Sequence, residues 1–315
     1  MSDQEEKVLS FVGDTLEHEF PVQFDAVIMN PPFQSTTRGK RQGGWGNKTL
    51  WDKFVQQALD KWLTPGGFLL AIHPSPWRKP LHPLWTVLSK HHHILSLSLH
   101  TEQDGREMFG CSTRYDWYLL QKGLSAARLR TSNQDTTTQV RGEDGQVQRL
   151  DLSNWDWLPN RMFPTIAQLF DFTGSRPTFE DVLFSRSAYG SDKSHMSKQE
   201  TAEHCYPCIH SMNRQGISLL WSSDTAGGHF GIPKVILSVG RYPYPFNDYL
   251  GEYGMTQICC GLPISSQEEG DSLVSAFQHP VFQQVLKAIK WCTFYMDWRV
   301  FYWLRRDFAQ LLGKG

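Results

Sequence analysis

The sequence has no run of 18 or more apolar residues, no excess of either charge, and few cysteines. The first absence predicts that no helix spans a membrane. A net charge of −1 excludes a polybasic protein that binds nucleic acid through bulk charge. Six irregularly spaced cysteines make no disulfide framework, and the opening MSDQEEKVLS lacks the basic and apolar regions of a signal peptide. We therefore expect a cytoplasmic or host-intracellular protein that is not secreted.

Predicted strands and helices alternate along the first 122 residues. Strands are predicted at 8–12, 24–29, 68–72, 93–99 and 115–121. Between them, apolar residues recur at helical spacing over 50–63, and a shorter helix is predicted near 81–90. This alternation is typical of a doubly wound α/β fold. The strand FDAVIM at 24–29 is nearly all apolar, so we expect it to be buried on both faces.

The character of the chain changes after Lys122, which predicts three regions: 1–122, 123–262 and 263–315. The middle region is rich in Trp, Tyr, Pro and Gly with short apolar runs such as 235–239, which indicates irregular β structure. The last region returns to helix, with Pro280 at a predicted first turn. Its aromatic tail suits either unpaired bases or a packed subdomain, and we favour packing.

The tetrapeptide Asn30-Pro31-Pro32-Phe33 comes directly after the predicted strand at 24–29. Ligands in open α/β sheets bind at such carboxyl ends. The two prolines stiffen the turn and carry no N–H, so Asn30 Oδ1 and the Pro31 carbonyl are expected to face the cleft as acceptors, with the ring of Phe33 beside them. Two acceptors and a flat apolar face suit the exocyclic amino group of a planar base. Accepting hydrogen bonds from that amine would leave its lone pair available to attack an activated methyl group.

FDAVIMNPPF resembles motif IV of the N6-adenine DNA methyltransferases, which have the class I S-adenosylmethionine-dependent fold. The blocks TLWDKFVQQALDKWLTPGGFLLAIHPSPWR and FGCSTRYDWYLLQK resemble the family's helix and strands after that motif, and later segments resemble the target-recognition part of type II restriction–modification methylases of bacteria and large DNA viruses. The resemblance implies a partial Rossmann-like methyltransferase sheet followed by an α+β target-recognition region. It also implies double-stranded DNA as partner.

The resemblance also implies roles for individual residues. Asn30, Pro31, Pro32 and Phe33 would hold and stack a flipped adenine. Asp14, after Gly13, would contact the adenine of S-adenosylmethionine, although a carboxylate there also suits the capping of a turn.

The sequence departs from this family at the cofactor loop. Few residues precede Asn30, and they contain no FxGxG motif; the later pairs at 227–228 and 251–254 are not expected to come after a strand and open a helix. We therefore expect two strands of the cofactor half to be absent, which leaves a bare apolar edge on strand 24–29. A second polypeptide, or a homo-oligomer, would complete the sheet. By itself the chain is expected to bind S-adenosylmethionine weakly or not at all.

Five basic residues are candidates for contacts with DNA phosphates: Arg38, Lys40, Arg41, Lys48 and Arg78. The alternatives are a solvated loop for the first four, and a carboxylate partner for Arg78. Cys205 and Cys208 lie beside His204 and His210, but no second CxxC completes a zinc site, so no metal is predicted.

We expect N6-adenine methylation of DNA. A catalytically inactive DNA-binding or structural protein derived from a truncated methylase is the main alternative, and an RNA or protein-amide methyltransferase is a third.

Overall fold

The structure is a computed structural model, and it describes residues 10–34, 49–123, 129, 135–185, 193–213, 215–240, 244–292 and 295–312. Among these residues, no helix has both the length and the apolar character needed to cross a bilayer. The described elements form three sheets with helices packed around them.

The largest sheet has six strands in the order β1-β2-β4-β3-β5-β6. The strands are β1 (Phe24–Met29), β2 (Leu63–Pro74), β3 (His93–Leu99), β4 (Tyr115–Gln121), β5 (Thr138–Arg141) and β6 (Val147–Leu150). β1 pairs with β2 and β3 with β5 in parallel, whereas β4 runs antiparallel to both of its neighbours. The predicted α/β fold is confirmed, with a mixed sheet at its centre.

Two of the three helices between these strands were predicted, at 50–63 and near 81–90, whereas the third was not. Helix α1 (Trp51–Gln57) continues into a π-helical turn (Ala58–Trp62), and Val55, Ala58 and Leu59 on their apolar stripe are buried. Helix α2 (Pro83–Thr86) likewise continues into a π-helical turn (Val87–His91). Helix α3 (Glu102–Phe109) begins with a capping box between Thr101 and Asp104 and ends at Gly110, whose φ of +69° is the left-handed conformation that glycine adopts readily.

Strand β1 lies at the end of the sheet. Among the described residues only β2 pairs with it, and Ile28 is 79% exposed. The predicted bare apolar edge is therefore observed, but the prediction that 24–29 is buried on both faces is wrong. Apolar composition favours burial of a strand but does not specify the segment that buries it. In the described chain no segment covers the outer side of β1.

The predicted strand at 8–12 is not observed where the structure describes it. Residues 10–12 form no strand, and residues 8 and 9 lie outside the described part. The ring of Phe11 stacks on His18 at 3.8 Å, and Phe20 packs edge-on against Phe24. The described residues before β1 are therefore held by contacts between aromatic rings and not by strand pairing.

The remaining elements lie beyond the large sheet. One small sheet has the order β11-β10-β13 and the other β12-β8-β9-β7. Their strands are β7 (Met196–Ser197), β8 (Tyr206–Asn213), β9 (Gly216–Ser222), β10 (Lys234–Ser238), β11 (Pro245–Asp248), β12 (Gly254–Met255) and β13 (Cys259–Pro263). The helices are α4 (Phe163–Leu169), α5 (Gln267–Gln278), α6 (Pro280–Ala288) and α7 (Phe308–Leu312), with 3-10 turns at Ser75–Arg78, Leu152–Asn154 and Trp298–Trp303. Pro280 occupies the first turn of α6, as predicted.

One hydrophobic cluster joins the large sheet to the C-terminal helices. Phe277, Phe282, Phe301 and Phe308 are fully buried in it, and their rings pack together. Phe301 and Phe308 belong to the aromatic tail, so this part of the tail is packed, as the sequence favours. Strands β5 and β6 extend the sheet beyond residue 122. The division into regions 1–122, 123–262 and 263–315 stays a prediction.

Candidate functional site

A cavity of about 530 Å³ opens along the outer side of β1 and around its carboxyl end. We call it the β1 cavity. It is lined by Gly13, Asp14, Thr15, Phe20, Phe24, Val27, Ile28, Met29, Asn30, Pro31, Pro32, Phe54 and Trp62. The predicted cofactor residue Asp14 and three of the four predicted catalytic residues thus share one cavity. Its size is in the range of about 300–1,000 Å³ found for small-molecule sites.

Asn30 presents its side chain at the mouth of this cavity. The residue is exposed, and its amide forms no hydrogen bond within the described part of the chain. Pro31 is buried, and the backbone N–H of Leu50 donates to the Phe33 carbonyl at 3.4 Å, which ties the turn to the start of α1. An amide oxygen on a stiff turn beside an open cavity is available to a donor from outside the chain.

Asp14 faces the same cavity from the segment before β1. Its Oδ1 accepts a hydrogen bond from the Leu16 N–H at 3.0 Å, and its carbonyl accepts from the His18 N–H at 3.0 Å. The carboxylate therefore caps a turn, and its second oxygen forms no hydrogen bond to a described residue. Capping and cofactor contact are compatible at this residue.

Phe33 begins a line of aromatic rings, continued by Phe109 and Tyr115, that the sequence did not predict. Its ring meets that of Phe109 edge-on, with centroids 5.6 Å apart, and Phe109 in turn meets Tyr115 edge-on at 5.0 Å. Phe109 is the last residue of α3, far from Phe33 along the chain. The local signal for it was the Phe109-Gly110 pair, typical of a helix end, which gives no indication of a site.

The predicted basic loop lies outside the described residues, and so do Arg38, Lys40, Arg41 and Lys48. The residues that flank it are described: Gln34 and Thr49 form an antiparallel bridge. Both ends of the segment 35–48 are thus held directly after Phe33. The predicted contact of these four residues with DNA stays a prediction.

Arg78 is not a surface residue, so its predicted contact with DNA phosphate is wrong. Its side chain is 1% exposed and lies 2.7 Å from the Asp116 carboxylate, which is the alternative that the sequence left open. The guanidinium donates two hydrogen bonds to Asp116, one each to the carbonyls of Leu158 and Pro159, and one to Asn160 Oδ1. All five donors are satisfied inside the protein, and none is left for a phosphate.

This network, which we call the Arg78 junction, joins the sheet to the C-terminal region. Trp77 Nε1 donates to Asp116 at 2.7 Å, and Asn160 Nδ2 donates to the Lys290 carbonyl at 2.6 Å. Trp291 Nε1 donates to the Leu158 carbonyl, and Ser75 Oγ to the Trp291 carbonyl. Arg78 thus has a structural role between β2, β4 and the segment after α6.

A ring stack holds the start of α1 beside the site. Trp51 lies between His73 at 4.5 Å and His82 at 5.8 Å, with both pairs nearly parallel. Burial lowers the pKa of His73 to about 3 and that of His82 to about 4, so both imidazoles are neutral at pH 7. His73 Nε2 lies 3.1 Å from the Tyr118 hydroxyl, which gives this buried ring a polar partner.

The residues considered for metal or cofactor binding elsewhere are dispersed. No three His, Cys, Asp or Glu side chains within the described ranges gather as metal ligands. Cys208 is buried, and desolvation raises the pKa of its thiol to about 12. The glycines at 227–228 come before strand β10, and Gly254 is the first residue of β12, so neither pair opens a helix.

A family model matches the first third of the chain. Residues 2–103 match the family described as Eco57I restriction-modification methylase. No curated protein matches the chain.

Several solved structures are similar over parts of the chain. The M protein of the type I restriction enzyme EcoKI is 17% identical over 32% of this chain and 21% of its own, with a TM-score of 0.25. A class I S-adenosylmethionine-dependent methyltransferase from Listeria monocytogenes is 17% identical over 35% of each chain, with a TM-score of 0.26. The type IIL restriction-modification enzyme MmeI, solved in complex with DNA, is 8% identical over 89% of this chain and 45% of its own, with a TM-score of 0.41.

The chain covers between 21% and 35% of the first three structures that it matches. Its residues 2–103, which contain β1, Asn30 and Asp14, thus match an Eco57I restriction-modification methylase domain.

Proposed function

We propose that this chain is the catalytic and target-recognition part of a site-specific DNA adenine N6-methyltransferase. The observation that carries the proposal is the β1 cavity: Asn30, the two prolines and Asp14 line one opening, inside the segment that matches a restriction-modification methylase. Methyl transfer from S-adenosylmethionine to a flipped adenine is the reaction that suits these groups.

The chain's own residues would bind and orient the target base. Asn30 Oδ1 and the Pro31 carbonyl accept hydrogen bonds from the adenine N6 amino group, and Phe33 stacks on the ring, backed by Phe109. Accepting both N6 protons leaves the nitrogen lone pair directed away from them. The stiff turn fixes this arrangement before the base arrives, so little reorganisation is required in the transition state.

The β1 cavity fits part of S-adenosylmethionine. Its flat apolar walls, Phe20, Phe24 and Trp62, and the carboxylate of Asp14 suit an adenine ring with its amino group. The other polar side-chain groups of its lining are those of Thr15 and Asn30 and the indole N–H of Trp62, too few for the remaining polar groups of the molecule. When bound, S-adenosylmethionine supplies a methyl group activated by its sulfonium.

A second polypeptide segment would complete this cofactor site. β1 presents an unpaired edge among the described residues, and Ile28 and Phe24 on it are exposed. A strand added there would cover these side chains and bring its own loop to the mouth of the cavity. The same open edge also favours the alternative function, a catalytically inactive DNA-binding or structural protein.

Methyl transfer by the full chain, purified alone and with the polypeptides that co-purify with it, tests the proposal. N6-methyladenine is measured in duplex DNA after incubation with S-adenosylmethionine. We expect Asn30→Ala to lower the rate by about 100-fold or more, the typical loss when one preorganised polar group is removed. The matched control is Asn154→Ala, an exposed asparagine outside the cavity.

Equal rates for wild type and Asn30→Ala would remove Asn30 from the mechanism. Absence of methylation with every co-purifying polypeptide, together with DNA binding, would favour the inactive alternative. Isothermal titration of the chain alone with S-adenosylmethionine tests whether the cofactor site needs a second segment. We expect weak or no binding, and tight binding would overturn the need for that segment.

A further inference from the structure

Four aromatic rings form a continuous line from the candidate catalytic turn into the sheet. Phe33 meets Phe109 at 5.6 Å, Phe109 meets Tyr115 at 5.0 Å, and Tyr115 stacks on His100 at 4.4 Å with the ring planes 4° apart. The four residues come from four places: the turn after β1, the end of α3, the start of β4 and the residue after β3. We call this line the ring relay.

The inner end of the relay is held firmly. Tyr115 is 4% exposed, and its carbonyl accepts a hydrogen bond from the His100 N–H at 3.0 Å, so backbone and rings are both joined. His100 Nε2 lies 3.1 Å from Ser98 Oγ, and its Nδ1 lies 3.8 Å from Asp104 in the capping box of α3. Burial lowers the pKa of His100, so the stack joins two neutral rings at pH 7.

The helix that carries Phe109 is also fixed in place. A Cβ added to Gly105, in the middle of α3, would lie 2.0 Å from the Thr113 carbonyl oxygen. Only glycine allows this contact between the helix and the segment that leads into β4. The position of Phe109 is therefore set by Tyr115 on one side and by the backbone of α3 on the other.

We propose that the stacked pair His100–Tyr115 positions Phe33 for the target base by supporting Phe109. This inference rests on the proposed function, because it assigns a purpose to the orientation of Phe33. His100 and Tyr115 are positioning residues and touch no substrate themselves. A hydrocarbon side chain of similar volume at 115 would fill the core but would let Phe109 tilt, because the edge-on contact needs a ring.

The environment of Phe33 can be measured directly. A single 4-fluorophenylalanine is placed at position 33 of the full chain, and its ¹⁹F resonance is recorded for each variant at matched temperature. We expect Tyr115→Leu to shift and broaden the resonance. Tyr115→Phe should leave it unchanged, because the Tyr115 hydroxyl forms no hydrogen bond with any described residue. Met108→Ala, at an exposed position of the same helix, is the matched control.

The second readout is extrusion of the target base. Duplexes that carry 2-aminopurine in place of adenine in varied sequence contexts fluoresce when the base leaves the stack. We expect Tyr115→Leu to reduce the signal of wild type by about 2- to 10-fold, the effect of one lost aromatic pair, and Tyr115→Phe to restore it.

The outcomes separate the two proposals. An unchanged Phe33 resonance in a folded Tyr115→Leu variant would overturn the ring relay. Should that variant fail to fold, His100→Ala removes the other ring of the stack, and an unchanged resonance there has the same meaning. If the resonance responds but wild type extrudes no base in any context, the relay geometry stands and the proposed function is wrong.

Discussion

The open edge of β1 and the Arg78 junction are opposites in chemistry and in environment. β1 is apolar and stands exposed, whereas Arg78 and Asp116 are ionised groups with no solvent contact. At the junction, every donor of the guanidinium finds an acceptor from a distant part of the chain. At β1, the described chain offers a partner on one side only. Burial therefore depends on the presence of a partner, more than on the polarity of the residue itself.

The largest effect is expected from breaking the junction. Arg78→Ala leaves the Asp116 carboxylate buried without its cation, and the loss of one partner of a buried pair typically costs about 3–5 kcal/mol. The free energy of unfolding from urea denaturation measures this. The matched control is Arg149→Ala, since Arg149 pairs with Asp135 while both are more than half exposed, and such pairs contribute at most about 1 kcal/mol. Equal losses for the two variants would contradict the structural role of the junction.

The second largest effect is expected from acid, which lowers the free energy of unfolding through His73, a residue beside the Arg78 junction. His73 contacts Trp77 of the junction, and its pKa is lowered by burial to about 3, so the unfolded chain binds a proton below pH 6.5 that the folded chain does not. Stability therefore falls as the pH is lowered from 6.5 toward 3, by up to ~1.4 kcal/mol per pH unit for this residue. The strand FDAVIM contains no histidine.

Urea denaturation between pH 7 and pH 5 measures the slope. His73→Gln should reduce the dependence on pH, whatever its effect on absolute stability. The matched control is Asn154→Ala, which removes no titratable group and should leave the slope unchanged. A His73→Gln slope equal to that of wild type would mean that other groups govern the acid response.

The smallest effect on stability is expected at the open edge. Ile28→Ala should change the free energy of unfolding by no more than about 0.5 kcal/mol, the usual range for surface substitutions. Leu69 lies on β2, opposite Val27 of β1, and is fully buried. Leu69→Ala should therefore lower the free energy of unfolding by about 2–5 kcal/mol. In contrast, Ile28→Lys should weaken association with any strand that pairs at β1, measured by co-purification. A large loss of stability from Ile28→Ala would mean that the edge is already covered.

Local pattern predicted the parts of the site that depend on neighbouring residues. The strand before Asn30, the helix after residue 50 and the first turn at Pro280 are dictated by periodicity and by proline geometry. The position of Asn30 beside a cavity was also predictable, because a ligand site at a strand end is a property of the sheet.

Features that depend on distant residues were missed or wrong. The partners of Arg78 lie 38 to 82 positions away, and Phe33 and Phe109 are brought together only by the order of the strands. The expected burial of 24–29 was wrong for the same reason, since apolarity does not specify which segment covers a strand.

The bridge between Gln34 and Thr49 has a consequence for the length of the segment between them. The two ends of the intervening segment are already joined, so doubling its length would add only about 0.6 kcal/mol of closure entropy. A longer or shorter connection between these two residues should therefore change the free energy of unfolding by little, provided that the bridge itself is kept. The bridge therefore holds the two residues that flank this segment together, whatever the length of chain between them.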